Sequence, residues 1–314
     1  MQILFNADII YEGRVLEKDA ERGGFILPEG TKVIVVCNNK GGVGKSTSVA
    51  AMGDILAREL RKRVLLIDGD PQGNLSKRFG FSSYDDCQNS YEILLKLRLD
   101  ARRGGAAPLP VNDFANSGKL YEGGKKVRPY ETLRIFCATR DLEKVYSEYR
   151  ADPEFSDCLI RDILQEVRES GQYDYVLIDT QPVLSYILGQ YMLGSDYVLI
   201  PVTPNDDAFD GALAIGDVYM NTKQKKERFK DDDKVELLGY FFNQVKKSTL
   251  AQKHFLPKMN EEWGENPKLE TMIPYNQEVN NAEIENAPIS SKNPNCPASV
   301  GFRELVREVV SRIG

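Results

Sequence analysis

The apolar positions of the chain fall into short unbroken runs separated by longer amphipathic stretches. VIVVC at 33–37, VLLID at 64–68, LRIFCAT at 133–139, DYVLID at 174–179 and DYVLIPV at 196–202 are rich in β-branched residues. ELLGYFFN at 236–243 and the segment ending in ETMIP at 270–274 continue the series. Runs of this length that show no polar alternation fit strands covered on both faces, as in a mostly parallel sheet. Between the first two, STSVAAMGDILARELRKR sets Val49, Met52, Ile55, Leu56 and Leu60 at helical spacing. It gathers Arg58, Arg61, Lys62 and Arg63 at the end where the helix dipole favours cations. CLIRDILQEV at 158–167 and DAFDGALAIGDVYM at 207–220 predict further helices. The expected fold class is α/β: a three-layer sandwich whose mostly parallel, twisted sheet carries helices on both faces. Ligands of such sheets bind at the carboxyl ends of the strands, so chemistry is sought there.

Two regions break the rhythm. Residues 1–30, with the link RGGFILPEG, are too short for an independent domain and are expected to be an N-terminal extension to a single domain over 31–314. Residues 100–129, rich in Gly, Pro and charge, predict a mobile surface insertion. A length of 314 residues is ample for one large core. The five cysteines, Cys37, Cys87, Cys137, Cys158 and Cys296, are scattered and odd in number, which argues against a disulfide framework or a metal cluster. The N-terminus lacks the basic-then-apolar order of a signal peptide, and no run approaches a membrane span, so a soluble cytoplasmic protein is expected. The formal charge of −6 restricts any nucleic-acid contact to a local patch. His254 is the only histidine, an inventory that argues against a Ser-His or Cys-His nucleophile system, and it is read as an ordinary surface or boundary residue.

Candidate chemistry begins at NNKGGVGKSTS, residues 38–48. With a strand before it and a helix after it, the backbone N–H groups of the turn at 41–46 make a nest for phosphate oxygens. Lys45 is placed to reach the β- and γ-phosphates, and Ser46 to ligate magnesium. The usual loop has a glycine six residues before that lysine; here the position is Asn39, followed by a second lysine, Lys40. At the end of the next strand IDGDPQGN offers Asp68 and Asp70, with a turn at Pro71 and Gly73 able to aim Asp70 at the γ-phosphate. YVLIDTQP sets Asp179 after an apolar strand, the arrangement that holds magnesium in phosphate-loop NTPases.

Taken in order, NKGGVGKSTS, VLLIDGDPQGNLS, YDYVLIDTQP and DYVLIPVTP resemble the deviant phosphate-loop ATPases of the ParA/MinD type, most of all the partition ATPases, over roughly residues 31–314. The resemblance implies a deviant Walker A loop in which Asn39 is normal and Lys40 is the signature lysine that reaches the partner's phosphates in an ATP-sandwiched homodimer. It implies ATP and Mg2+ as cofactors, with Lys40, Lys45 and Asp70 catalytic and Asp70 handling the attacking water. Nucleotide contacts would come from Lys40, Gly41, Gly42, Val43, Gly44, Lys45, Ser46 and Thr47, with Asn243 and Pro274 at the adenine, and metal contacts from Ser46, Asp68 and Asp179. The implied function is ATP-dependent partition or positioning of DNA: the ATP dimer binds non-specific DNA on the nucleoid, and a ParB-like cargo-bound partner stimulates hydrolysis.

The chain departs from that pattern twice. Gln181 replaces a proline in the switch motif, and Glu278 stands near the place where an arginine commonly binds DNA. NTKQKKERFK offers a substitute patch in Lys223, Lys225, Lys226, Arg228 and Lys230. FRELVREVVSRI is amphipathic and is expected to pack on the sheet, so no stable membrane association is anticipated. A MinD-like membrane-surface ATPase and a metabolic ATP-dependent enzyme on the same scaffold are the alternative readings.

Overall fold

The computed structural model describes residues 30–314 except 82–86, 88, 108, 123, 229–233 and 247–249, together with the backbone of three short strands before residue 30. The side chains of residues 228, 250–254 and 256 also lie outside the description. The early strands, β1 (Ile9–Tyr11), β2 (Arg14–Lys18) and β3 (Phe25–Ile26), form an antiparallel sheet of their own in the order β1-β2-β3. The main sheet is built from β4 (Lys32–Val36), β5 (Val64–Gly69), β6 (Asn116–Glu122), β7 (Lys125–Phe136), β8 (Tyr175–Thr180), β9 (Tyr197–Val202), β10 (Glu236–Val245) and β11 (Lys268–Pro274). Its order is β11-β10-β9-β4-β8-β5-β7-β6, and every neighbouring pair is parallel except β6 with β7.

The continuous apolar runs have their cause in two cores, one on each face. Val33, Val35, Leu65, Ile67, Val176 and Ile178 enter one; Ile34, Val36, Val64, Leu66 and Leu177 enter the other. Each such side chain contributes about 1.5–3 kcal/mol on full burial, so a polar residue on either face of these strands would cost both the transfer term and its packing. The first core is closed by helices that include α3 (Tyr91–Arg102), α6 (Leu159–Glu169), α7 (Tyr186–Gly194) and α8 (Asp206–Arg228). The second is closed by α1 (Lys45–Asp54) and α12 (Pro297–Ile313).

Phe302, Leu305, Val306, Val309 and Ile313 of α12 are buried in that second core, and Gly301 sits against Ile273 and Pro274. The helix also finishes a sheet edge, since Glu308 accepts the Glu270 and Thr271 N–H groups of β11 at 2.9 Å each. Its apolar face is thus spent inside the fold, and this removes the feature on which a membrane-gripping role rested. Among the described residues no helix is long and apolar enough to cross a membrane.

Two expectations are corrected. The stretch at 100–129 is not an irregular insertion: it runs from the end of α3 through a 3-10 turn at Val111–Phe114 into β6 and the first residues of β7, and it supplies the eighth strand. Val111, Phe114, Leu120 and Tyr121 are buried, and the apolar residues set among the Gly and Pro positions tie the segment to both faces of the sheet, Val111 and Phe114 in the first core and Leu120 in the second. The cysteines are not all separate: Cys87 and Cys137 form a disulfide with Cα atoms 6.7 Å apart. They meet where the end of β7 receives the approach to α3, fixed by Tyr91 N–H donating to Cys137 O at 2.8 Å. Cys37, Cys158 and Cys296 are free thiols.

Candidate functional site

Strand register assembles the site. Val36 pairs with Asp179, and Asp68 pairs with the same Asp179 from the other side. The loop after β4 and both strand-end aspartates therefore meet at one carboxyl edge. Beside them lies a cavity of about 750 Å³ whose wall includes Gly41, Gly42, Gly44, Lys45, Ser46, Thr47, Asp70, Asn243 and Pro274. Of the nucleotide set read from the sequence, Lys40 stands outside this wall and Val43 is buried behind it.

The loop's shape is dictated locally. Gly42 and Gly44 have φ of 78° and 89°, a region that side chains disfavour, and Gly44 opens α1. A Cβ at Gly44 would also lie 2.2 Å from Asn243 Nδ2, so that residue is constrained twice. Asn243 Nδ2 donates to Val43 O at 2.8 Å, and Gln244 Nε2 donates to Gly42 O at 2.8 Å. The carboxyl end of β10 thus clamps the loop; Asn243, expected as a base contact, has its amide committed to this clamp.

The Asn38-Asn39 doublet has a structural role on each side. Asn38 is buried; its Nδ2 donates to Pro201 O and Ala208 O, and its Oδ1 accepts Lys40 N–H at 2.9 Å. Asn39 Oδ1 accepts Leu184 N–H at 3.2 Å, which ties the segment after Asp179 to the loop. No glycine could make either contact.

Charge in the site is uneven. Lys45 is only 7% exposed and its Nζ donates to Lys40 O at 2.9 Å. Burial lowers its pKa, opposed chiefly by Asp179. Asp179 is fully buried, and neither carboxylate oxygen has a hydrogen-bond partner. Burial raises its pKa well above the carboxylate range, the Asp68 carboxylate adds to the rise, and the nearby Ser46 hydroxyl offsets a little. Asp68 is raised as well, first by burial, but its oxygens are occupied: Ser76 N–H and Oγ donate to Oδ2 at 2.8 and 2.6 Å, and Asp70 N–H donates to Oδ1.

Two neighbouring buried carboxylates, with Asp68 pushing Asp179 up, fit an added cation, and the orphaned one is Asp179. Among the described residues no cluster of three or more His, Cys, Asp or Glu forms a complete cage. An ion here would take Ser46, Asp179 and oxygens of the ligand itself, a sparse protein shell of the kind magnesium accepts. Asp68 then acts through the turn it anchors.

At the rim Lys40 Nζ pairs with Asp207 Oδ2 at 2.8 Å, an exposed contact that lowers the Asp207 pKa. Asp70, half-buried, is held at the cavity wall by Gln72 N–H donating to its Oδ1 at 2.9 Å.

The basic patch is less continuous than its sequence. Lys223 is exposed, Lys225 pairs with Asp157 at 2.6 Å, and Lys226 is buried with its Nζ donating to Ser195 O at 2.9 Å. Helix phase turns Thr222 and Lys226 inward together, so Lys226 is withdrawn from any solvent stripe. The Arg228 side chain, Lys230 and the side chain of His254 lie outside the described residues. Sequence reasoning missed Asn38, Gln244, Arg78 and Glu283. Only the Asn doublet left a signal, as two amides where a loop glycine is usual.

A family model described as AAA domain matches residues 31–232, well over half of the chain. The chromosome partitioning protein ParA of Caulobacter vibrioides is 29% identical over 281 residues, covering 90% of this chain and 94% of the relative. Two solved structures share the fold at lower identity. The septum site-determining protein MinD of Pyrococcus horikoshii, complexed with Mg-ADP, has a TM-score of 0.65 at 22% identity, covering 90% of this chain and 98% of that one. The cobyrinic acid a,c-diamide synthase of Mycobacterium smegmatis, with a bound ATP analogue and magnesium, has a TM-score of 0.66 at 22% identity, covering 89% and 94%.

Proposed function

Because the chain belongs to the AAA-domain family and is a ParA/MinD-type ATPase, we propose that it binds Mg-ATP in the cavity beside Lys45, hydrolyses it slowly, and uses the bound state to position DNA. The observation that carries the reading is Asp179, buried with both oxygens unpartnered, next to Ser46 on the loop that presents Lys45. Magnesium held by Ser46 and Asp179 supplies charge compensation to the phosphates when bound. The chain's own residues do the rest. The loop N–H groups and Lys45 orient the phosphate chain, and Asp70, fixed by Gln72, holds the attacking water and takes its proton. Asn243 and Gln244 keep the loop in the shape its glycines require, and Pro274 lines the same cavity on the side proposed for the base.

Lys40 gives the reading its regulatory half. It lies outside the cavity wall and is held by Asp207 on the chain's own α8, so a second copy bearing nucleotide offers it a stronger anion than a solvated carboxylate. ATP then favours a dimer to the degree that it binds the dimer better than the monomer. Lys40→Ala is expected to lower ATP turnover at least about tenfold, less than the roughly thousandfold or more of an arginine delivered in trans because lysine offers a point charge and no fork, and to weaken the ATP dimer. Phosphate release and sedimentation velocity in Mg-ATP check this, and unchanged values in both would rule out the role.

The ATP dimer is proposed to bind DNA without sequence preference, with Lys223 exposed among the described residues of the basic patch and a ParB-like cargo-bound protein as the stimulating partner. The test is fluorescence anisotropy of a random-sequence duplex titrated in Mg-ATP and in Mg-ADP at two salt concentrations. Binding that needs ATP and weakens with salt supports the reading. No binding under either nucleotide would sink the DNA part and leave the ATPase site in place.

A further inference from the structure

We propose that Arg78 is a ligand-contacting residue of this cavity, taking up the phosphate nearest the sugar while Glu283 and Thr47 brace its guanidinium. The inference rests on the nucleotide reading above and adds to it a residue that neither the loop motif nor the strand-end aspartates supply.

Arg78 closes α2 (Asn74–Arg78) and lines the cavity. Its side chain is 6% exposed. One nitrogen, Nη2, donates to Glu283 Oε1 at 2.8 Å and to Thr47 Oγ1 at 3.1 Å, and Thr47 Oγ1 itself donates to Glu283 Oε1 at 2.8 Å. The other two, Nε and Nη1, are buried without any hydrogen-bond partner. A guanidinium has five N–H donors in a rigid fork, and burying most of them unmet is unfavourable unless something else takes them.

Glu283 does not satisfy it. Its side chain is 46% exposed, and the oxygen that meets Arg78 is already shared with Thr47. The contact is therefore a tether on one nitrogen, and it leaves a charged fork unspent at a cavity wall. Phosphate oxygens suit that fork better than any other common anion in a nucleotide site.

Position assigns which phosphate. Thr47 stands two residues past Lys45 along α1, and Glu283 comes from α10 (Gln277–Ile284), whose Asn280 and whose capping residue Asn276 line the same cavity. Lys45 reaches the β- and γ-phosphates, so a cation anchored beyond it, between α1 and α10, meets the phosphate that leads into the nucleoside.

Calorimetric titration of wild type, Arg78→Met and Arg78→Lys with Mg-ATP, Mg-ADP and Mg-pyrophosphate tests the assignment, with melting temperatures of each protein free of ligand. Arg78→Met is expected to weaken ATP and ADP about tenfold to a hundredfold, and pyrophosphate, which fills only the Lys45 end, less than about threefold. Arg78→Lys recovers part of the loss, because it keeps the charge and loses the fork. The unliganded Met variant is expected to melt at the same temperature or higher, because its unmet buried donors are gone.

Equal losses for pyrophosphate and ATP would overturn the proposal by making Arg78 a support of the whole loop. A lower unliganded melting temperature with ATP affinity unchanged would overturn it by making Arg78 a structural brace. Should the Met variant fail to fold, the ratio of ATP to pyrophosphate affinity in Arg78→Lys decides the matter. Wild type that binds neither nucleotide removes the nucleotide reading and this one with it. Wild type that binds ATP, with Arg78→Met unaffected and Lys45→Ala defective, removes this one alone.

Discussion

Lys45→Ala is expected to lose ATP binding, with affinity falling at least about a hundredfold, the scale for removing one partner of a buried charge pair in a complex, here the ammonium facing the phosphates. The magnitude follows from where the ammonium sits. It is buried at the start of α1, among loop N–H groups whose geometry is fixed by Gly42, Gly44, Asn243 and Gln244. Burial makes its charge costly, and Asp179 is first among the groups that oppose the cost. Alanine removes the cation and also a charge that opposes the rise of the Asp179 pKa, so the orphaned carboxylate is less ready to hold a metal. Both effects act against Mg-ATP. Calorimetric titration measures the loss, and a far-ultraviolet melt of the unliganded variant confirms that the fold is intact. Retained affinity in a folded variant would refute the assignment of the loop.

How far this was legible in the sequence depends on which residues are asked. Strands β4, β5, β8 and β9 were readable because burial on both faces writes uninterrupted apolar runs, and their register then brings Asp68 and Asp179 together. The loop was readable because a strand, positive-φ glycines and a helix start are needed in that order, and few other sequences meet the demand. The hairpin of β6 and β7 was not: its buried Leu120, Tyr121 and Tyr130 are diluted by Gly, Pro and exposed lysines that read as a loop.

Neither was the pairing of Arg78 with Glu283, 205 residues apart in sequence, because each side chain alone looks like one more surface charge on a short helix. Lys226 misled for a related reason. A run of lysines reads as a solvated face, while the helix phase that buries Thr222 buries Lys226 one turn later. Asn243, read as a base contact from its place at the end of ELLGYFFN, lines the cavity, but its buried side-chain N–H donates to Val43 O, a clamp no local pattern encodes.

Asp70→Ala is expected to separate binding from turnover. The hydrolysis rate should fall at least about a hundredfold, the low end for loss of a positioned base, while Mg-ATP affinity stays within about threefold of wild type. The reason is that Asp70 differs from its neighbours in what it holds. Asp68 is locked by Ser76 and buried, and Asp179 is buried against Ser46, but Asp70 is half-exposed at the cavity wall. Its Oδ1 is fixed by Gln72 N–H, so the carboxylate is oriented without being consumed.

Removing a carboxylate beside bound phosphates also removes a repulsion, and this is why affinity is not expected to suffer. Asp70→Asn keeps an oxygen for the Gln72 N–H but cannot take a proton, so it should be as slow as the alanine variant if proton uptake is the role. Asparagine at near wild-type rate with alanine inactive would instead mean that Asp70 only orients the water. Normal turnover in both variants would remove Asp70 from the mechanism and leave the hydrolytic base to be sought among the other groups on the cavity wall.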